Sequence, residues 1–280
     1  MKPLIVLDAC TILNLLRIDD ENDFLLKQIK NWKVCLPSTV LKETKLHVRS
    51  DFYTKEKNEH IFLIINQEFD QRKTSDIDIK KDLSDEGFDK VVKFCGHKKR
   101  ENGELYCVAL ALVKSREEND SVTLYTDDYK ATEEFRDFYR YHCIGNMGDT
   151  LDLLTRLYWS TPEKDFQYSV YRAFLENLRA EYNHQLNTVA EAIDVYLNEK
   201  KKGKCKDRDL LENLNNIIVG YRKANMIQME IGIHFFQKGS RYNDVKKIVA
   251  DVDIHKVNRQ MIRITEHLKM LKQHPVFKIS

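Results

Sequence analysis

The sequence predicts an α/β fold: a parallel sheet sandwiched by helices over residues 1–155, followed by an all-α helical domain over residues 156–280. Three observations predict it. Strand-like apolar runs alternate with helix-like segments in the first half, the pattern of successive βα units. The run Leu4–Leu7 is apolar without interruption, as a strand buried on both faces must be. After Asp149 the alternation stops, and apolar residues recur at spacings of three and four.

The strands predicted are residues 4–7, 33–36, 122–126 and 141–144. The helices predicted between them include residues 23–30, 38–50, 103–115 and 129–139. Residues 51–100 read as a polar, mostly helical insertion. Within it, 61–69 and 87–95 are helical, while the acidic, Ser-bearing stretch 74–85 reads as a loop. In the second half, Phe166, Val170, Phe174, Leu178, Tyr182, Leu186, Val189 and Ile193 mark one face of a long helix. Leu211, Leu214, Ile218 and Tyr221 mark a second, broken at Gly239 and Ser240, with Ser240 able to cap the next. Val245, Ile248, Val252, Val257, Met261, Ile264, Leu268 and Leu271 mark a third. Three long helices with short breaks predict an antiparallel bundle, a candidate surface for homo-oligomerisation.

No apolar run is long enough to cross a bilayer, so no membrane partner is expected. The opening apolar run is too short for a signal peptide. The 6 cysteines include no CxxC pair, which argues against a zinc ribbon or a thioredoxin-like site. Several lie in apolar runs, where cysteine behaves as a small hydrophobe, and a reducing cytoplasm is the expected location. The net charge of +2 hides an asymmetry. Residues 151–280 carry 22 Lys+Arg and 16 Asp+Glu (+6), leaving 24 and 28 (−4) for residues 1–150.

Separated acids give the first half its chemistry. Asp8 ends the first apolar run; Glu43 lies on the helix after the second strand; Glu104 opens an apolar helix; Asp127 and Asp128 close a late strand. Acids at the carboxyl ends of parallel strands face the crevice where such sheets bind ligands. Converging carboxylates repel one another and resist desolvation unless a cation lies between them. Oxygen ligands in this number suit Mg²⁺ or Mn²⁺, which can activate water and offset charge in phosphoryl transfer. Each acid also has a plainer reading. Asp8 can cap the next helix, Glu43 can be a surface residue, and Glu104 can answer a helix dipole. Adjacent residues point in different directions, so Asp127 and Asp128 need not serve the same ion. Thr11, Asn14 and Thr126 are candidates to hydrogen-bond the carboxylates, or to act as local turn and cap residues.

In order and context these acids resemble the PIN-domain nucleases. The match comprises Asp8 with Thr11 and Asn14 after the first strand, Glu43 after the second, Gly103-Glu104 opening a helix, and Thr126-Asp127-Asp128 after a late strand. It covers residues 1–155, with a longer stretch between Glu43 and Glu104 than a minimal member has. The resemblance implies that Asp8, Glu43, Glu104, Asp127 and Asp128 bind one or two Mg²⁺ or Mn²⁺ ions and catalyse phosphodiester hydrolysis. It implies a cytoplasmic endoribonuclease leaving 5′-phosphate and 3′-hydroxyl ends. A toxin or phage-defence role, with a regulatory protein or antitoxin as partner, is the expectation that goes with it. A nuclease for DNA flaps or single strands, and an inactive PIN-like scaffold for nucleic acid or protein, are the alternatives.

Two basic clusters could hold a nucleic-acid backbone. One is His97, Lys98, Lys99 and Arg100, just before Glu104; the other is Lys200, Lys201, Lys202, Lys204, Lys206 and Arg208. Either could equally be a solvated loop.

Overall fold

The computed structural model describes residues 3–19, 23–50, 55–94, 101–237, 242–250 and 252–273. The chain divides into two compact units, Met1–Phe174 and Leu175–Ser280.

The first unit is built on a five-stranded, all-parallel sheet in the order β3-β2-β1-β4-β5. Its strands are β1 (Leu4–Leu7), β2 (Lys33–Pro37), β3 (Lys73–Thr74), β4 (Val122–Tyr125) and β5 (Gly145–Gly148). Every residue of β1 and β4 is buried, so helices cover both faces of the sheet centre. The chain leaves β1 toward β2 on one side and β4 lies on the other, which makes the β1/β4 carboxyl ends the topological switch point. Helix α1 (Ala9–Ile18) follows β1, α2 (Phe24–Ile29) precedes β2, and α3 (Ser38–Ser50) follows β2. Helix α7 (Gly103–Glu118) lies against β1, β2 and β4; its residues from Leu105 to Val113 are all buried, as a central helix requires. Helices α8 (Tyr129–Tyr141) and α9 (Thr150–Ser160) complete the βα units of β4 and β5.

The fifth strand is not where the apolar pattern put it. Residues through Tyr141 finish α8, and Cys143 turns the chain in the left-handed region at φ 51°. Pairing starts only at the Ile144 carbonyl, which accepts from Val122 N–H at 2.9 Å. The strand itself, Gly-Asn-Met-Gly, has no apolar alternation to reveal it. A side chain at Gly145 (φ 150°) would lie 2.2 Å from the Val122 carbonyl oxygen, so the close approach selects glycine.

The insertion holds α4 (Lys55–Ile64), a π-helical turn Ile65–Phe69, α5 (Asp76–Leu83) and α6 (Asp85–Phe94). The stretch 74–85, expected as a loop, is therefore mainly helix. Ser75 caps it and its acids occupy the first turn, where the dipole favours them. Asp76 does a second job. Its carboxylate accepts from Thr39 N–H at 3.2 Å and Thr39 Oγ1 at 2.6 Å, tying α5 to the first turn of α3. Residues 156–174 also belong to this unit rather than to the helical one. Tyr158 stacks on Tyr171 at 4.3 Å, and Phe166, which lies before the helix rather than in it, meets Phe24 at 5.1 Å.

The second unit contains most of α10 (Tyr168–Lys202), then α11 (Arg208–Arg222), α12 (Met226–Gln237), α13 (Asn243–Ala250) and α14 (Ile254–Gln273). The expected second and third helices are each split. Asn225 accepts from Gln228 N–H at 3.2 Å and starts α12; Asp253 accepts from Lys256 N–H at 3.1 Å and starts α14. These polar cap residues override an apolar spacing that continues through them. Gly239 and Ser240 lie outside the described residues. Among the described residues no helix is long and apolar enough to cross a membrane.

Candidate active site

Asp8 leaves β1 as its backbone N–H donates to the Tyr125 carbonyl of β4 at 3.0 Å. Its side chain caps α1, Oδ1 accepting from Ala9 N–H at 2.8 Å. Oδ2 accepts from Thr126 Oγ1 at 2.8 Å and from the Cys10 thiol at 3.1 Å. Thr126 Oγ1 in turn accepts from Asp128 N–H at 3.1 Å. A single buried hydroxyl thus joins the chain ends of β1 and β4. Cys10 supports the same turn by accepting Asp127 N–H at 3.2 Å.

Asp127 and Asp128 take opposite roles. Asp127 is 2% exposed, and both its oxygens are engaged. Oδ1 accepts from Thr150 N–H at 3.1 Å; Oδ2 accepts from Asn14 Nδ2 at 2.9 Å, from Thr11 Oγ1 at 3.4 Å and from Thr150 Oγ1. This carboxylate ties α1 to α9. Asp128 caps α8 with Oδ1, which accepts from Lys130 N–H at 2.7 Å and Ala131 N–H at 3.1 Å. Its carboxylate also acts on the Glu104 carboxyl.

The N-terminus of α7 gathers the remaining two acids. Asn102 caps the helix through Oδ1, which accepts from Leu105 N–H at 3.1 Å, while its Nδ2 donates to Glu104 Oε2 at 2.9 Å. Gly103 N–H donates to Glu43 Oε1 at 3.1 Å. A Cβ on Gly103 would lie 2.3 Å from Glu43 Oε2, so the absence of a side chain lets this carboxylate reach the backbone. A Lys80–Glu101–Tyr106 set braces the entry to α7: Lys80 Nζ donates to Glu101 at 2.7 Å and Tyr106 Oη donates to it at 2.6 Å.

The electrostatics record the convergence. Burial pushes the Glu104 carboxyl up to about 8, helped by the negative charges of Asp128 and Asp8. Burial also raises Glu43; the Gly103 N–H opposes this and the charge of Asp8 adds to it. The charge of Asp8 thus acts on both Glu43 and Glu104, that of Asp128 on Glu104, and the four carboxyls come from four elements at the switch point. Asp127 is set apart by its donors.

Among the described residues, no group of three or more His, Cys, Asp or Glu side chains is arranged to hold a metal ion. The donors suit a hard cation in kind, being carboxylate oxygens. In position they are spent on the protein: Asp8 and Asp128 cap helices, and Glu43 and Glu104 each commit an oxygen to α7. Coordination would exchange some of these bonds for metal bonds. His97, Lys98, Lys99 and Arg100 lie outside the described residues. Lys200, Lys201, Lys202, Lys204, Lys206 and Arg208 lie in the second unit, at the turn between α10 and α11. Asn102, Cys10 and Thr150 were not singled out by sequence reasoning. Asn102 had a readable signal, an Asn-Gly pair directly before an apolar helix; Thr150 had none.

No protein-family model matches this chain, and neither a curated protein nor a solved structure matches it significantly.

Proposed function

We propose that the protein is a divalent-metal-dependent nuclease that hydrolyses RNA. One observation carries the reading: four acids far apart in sequence, Asp8, Glu43, Glu104 and Asp128, come together at the switch point, where burial first, and then the charges of Asp128 and Asp8, hold Glu104 at about 8. Burying carboxyls beside one another is unfavourable for folding and is retained where a cation or a proton has work to do there. The order and context of the acids, which resemble the PIN-domain nucleases, select a metal and a phosphodiester from the chemistries open to a carboxylate cluster.

In this reading Asp8, Glu43, Glu104 and Asp128 hold Mg²⁺ or Mn²⁺, and Asp127 supports the site from behind. The bound ion would supply an activated water and charge compensation for the phosphate. Thr126 orients Asp8 and the Asp128 backbone, and Asn102 orients Glu104. Gly103 N–H fixes Glu43. Glu104, being a weak acid near neutrality, is the group suited to exchange a proton with water as the ion binds. A cytoplasmic role in toxin or phage-defence chemistry, with a regulatory protein as partner, belongs to the same proposal.

The test is cleavage of labelled single-stranded RNA and matched DNA with Mn²⁺, Mg²⁺ or EDTA, comparing wild type with Asp8→Asn. The expected result is metal-dependent cutting of RNA, reduced by about a hundredfold or more in the variant. Faster cutting of DNA would reassign the substrate. No cutting together with no metal binding would leave a scaffold.

A further inference from the structure

We propose that the turn between α10 and α11 is a docking surface for the phosphate backbone of single-stranded nucleic acid. Nine residues, 200–208, hold six Lys or Arg, against the nearby acids Glu199, Asp207 and Asp209. Lys201, Lys202, Lys204, Lys206 and Arg208 are all exposed, and none has an ion-pair partner among the described residues. Asp207 is occupied as the cap of α11, accepting from Leu210 N–H at 3.0 Å.

Three of these cations need no function. Lys200, Lys201 and Lys202 end α10, where the helix dipole favours positive charge. Two of the others, Lys204 and Arg208, stand where the fold does not favour them. The end of α10 is a Schellman turn: Cys205 N–H donates to the Lys200 carbonyl at 3.1 Å, and Lys204 N–H to the Lys201 carbonyl at 3.0 Å. The residue that this turn places in the left-handed region is Lys204, at φ 54°. Glycine is favoured there on steric grounds, yet the only glycine is one position earlier, Gly203. Arg208 is the first residue of α11, where the dipole disfavours a cation. The same turn ends α11 with Ala224 and α8 with Cys143 in the left-handed region, so the fold does not call for a cation at Lys204, nor at the first residue of α11; an anionic partner accounts for the charge at both. The exposed cations follow one another along a single turn, which suits a chain of evenly spaced phosphates. The nuclease reading is used only to choose nucleic acid among polyanions.

The experiment measures binding of a fluorescent single-stranded RNA to the full chain in EDTA, where metal-dependent cleavage is silent, over a series of salt concentrations. Changing Lys202, Lys204, Lys206 and Arg208 together to Gln is expected to weaken binding by about tenfold or more. It should also lower the salt slope by about 3, near 0.7 for each lost phosphate contact. Lys204→Gly separates grip from folding: melting temperature should rise while affinity falls. An unchanged slope and affinity in the fourfold variant would overturn the proposal. So would polyglutamate or anionic vesicles binding the turn as tightly as RNA, which would assign it to a protein or a lipid surface. A chain that binds RNA through this turn and never cleaves it would uphold the surface and remove the nuclease. A fourfold variant that cleaves and binds as wild type would do the reverse.

Discussion

At the scale of single residues, the clearest result is the division of labour between Asp127 and Asp128. Adjacent acids in one sequence context are indistinguishable by pattern. Their roles follow from what surrounds them: four donor contacts from α1 and α9 for Asp127, and the start of α8 together with Glu104 for Asp128. Removing charge from a buried, multiply bonded carboxylate leaves its donors poorly satisfied. Asp127→Asn should therefore destabilise the protein by about 3 kcal/mol, read as a lower denaturation midpoint. Asp128→Asn keeps a good helix cap and relieves repulsion with Glu104. It should leave the midpoint nearly unchanged and abolish metal-dependent cleavage. Equal losses of stability in the two variants would contradict the assignment. Thr11 and Asn14, open between ligand support and local turn, are support for Asp127.

Elements carry the site by their ends. β1 delivers Asp8, the turn after β4 delivers Asp128, and the N-terminus of α7 collects Glu104 directly and Glu43 through Gly103. Gly103→Ala isolates that last contact. Alanine is the better helix residue, and the atom it would strike is the tip of a flexible side chain, so little stability should change. Glu43 must nevertheless move off the Gly103 N–H, and cleavage should fall by about tenfold or more with melting temperature held. Retained activity would show that Glu43 is not needed where it stands. Much of this scale was legible in the sequence: β1 and α3 coincide with their predicted spans because their apolar runs and helix periodicity are strong. The errors fall where another force decides. β5 is a glycine-bounded strand defined by its pairing with β4 rather than by side chains, and α5 is a polar helix anchored by Asp76 on α3. The split helices of the second unit were marked by Asn225 and Asp253, whose capping side chains matter more than the apolar spacing around them.

For the whole molecule, the carboxyl cluster links stability to pH and to metal. Glu104 is raised from an ordinary value of 4.5 to about 8, so the folded protein holds this proton more tightly than the unfolded chain. Its contribution to stability is whole below about 4.5 and is lost as pH rises through about 8. Glu43, also raised, acts in the same direction. In EDTA, wild type should therefore melt lower at alkaline pH, and Glu104→Gln should remove much of that fall. A divalent cation reverses the sign, because it binds the deprotonated acids and competes with protons. The most direct measurement is calorimetric titration of Mn²⁺ into wild type and Glu104→Gln at about pH 6 and about pH 8.5. Wild type should bind saturably, more tightly at the higher pH and with proton release at the lower, and the variant should bind about tenfold or more weakly. No Mn²⁺ binding at either pH, or equal affinity in the two proteins, would contradict it.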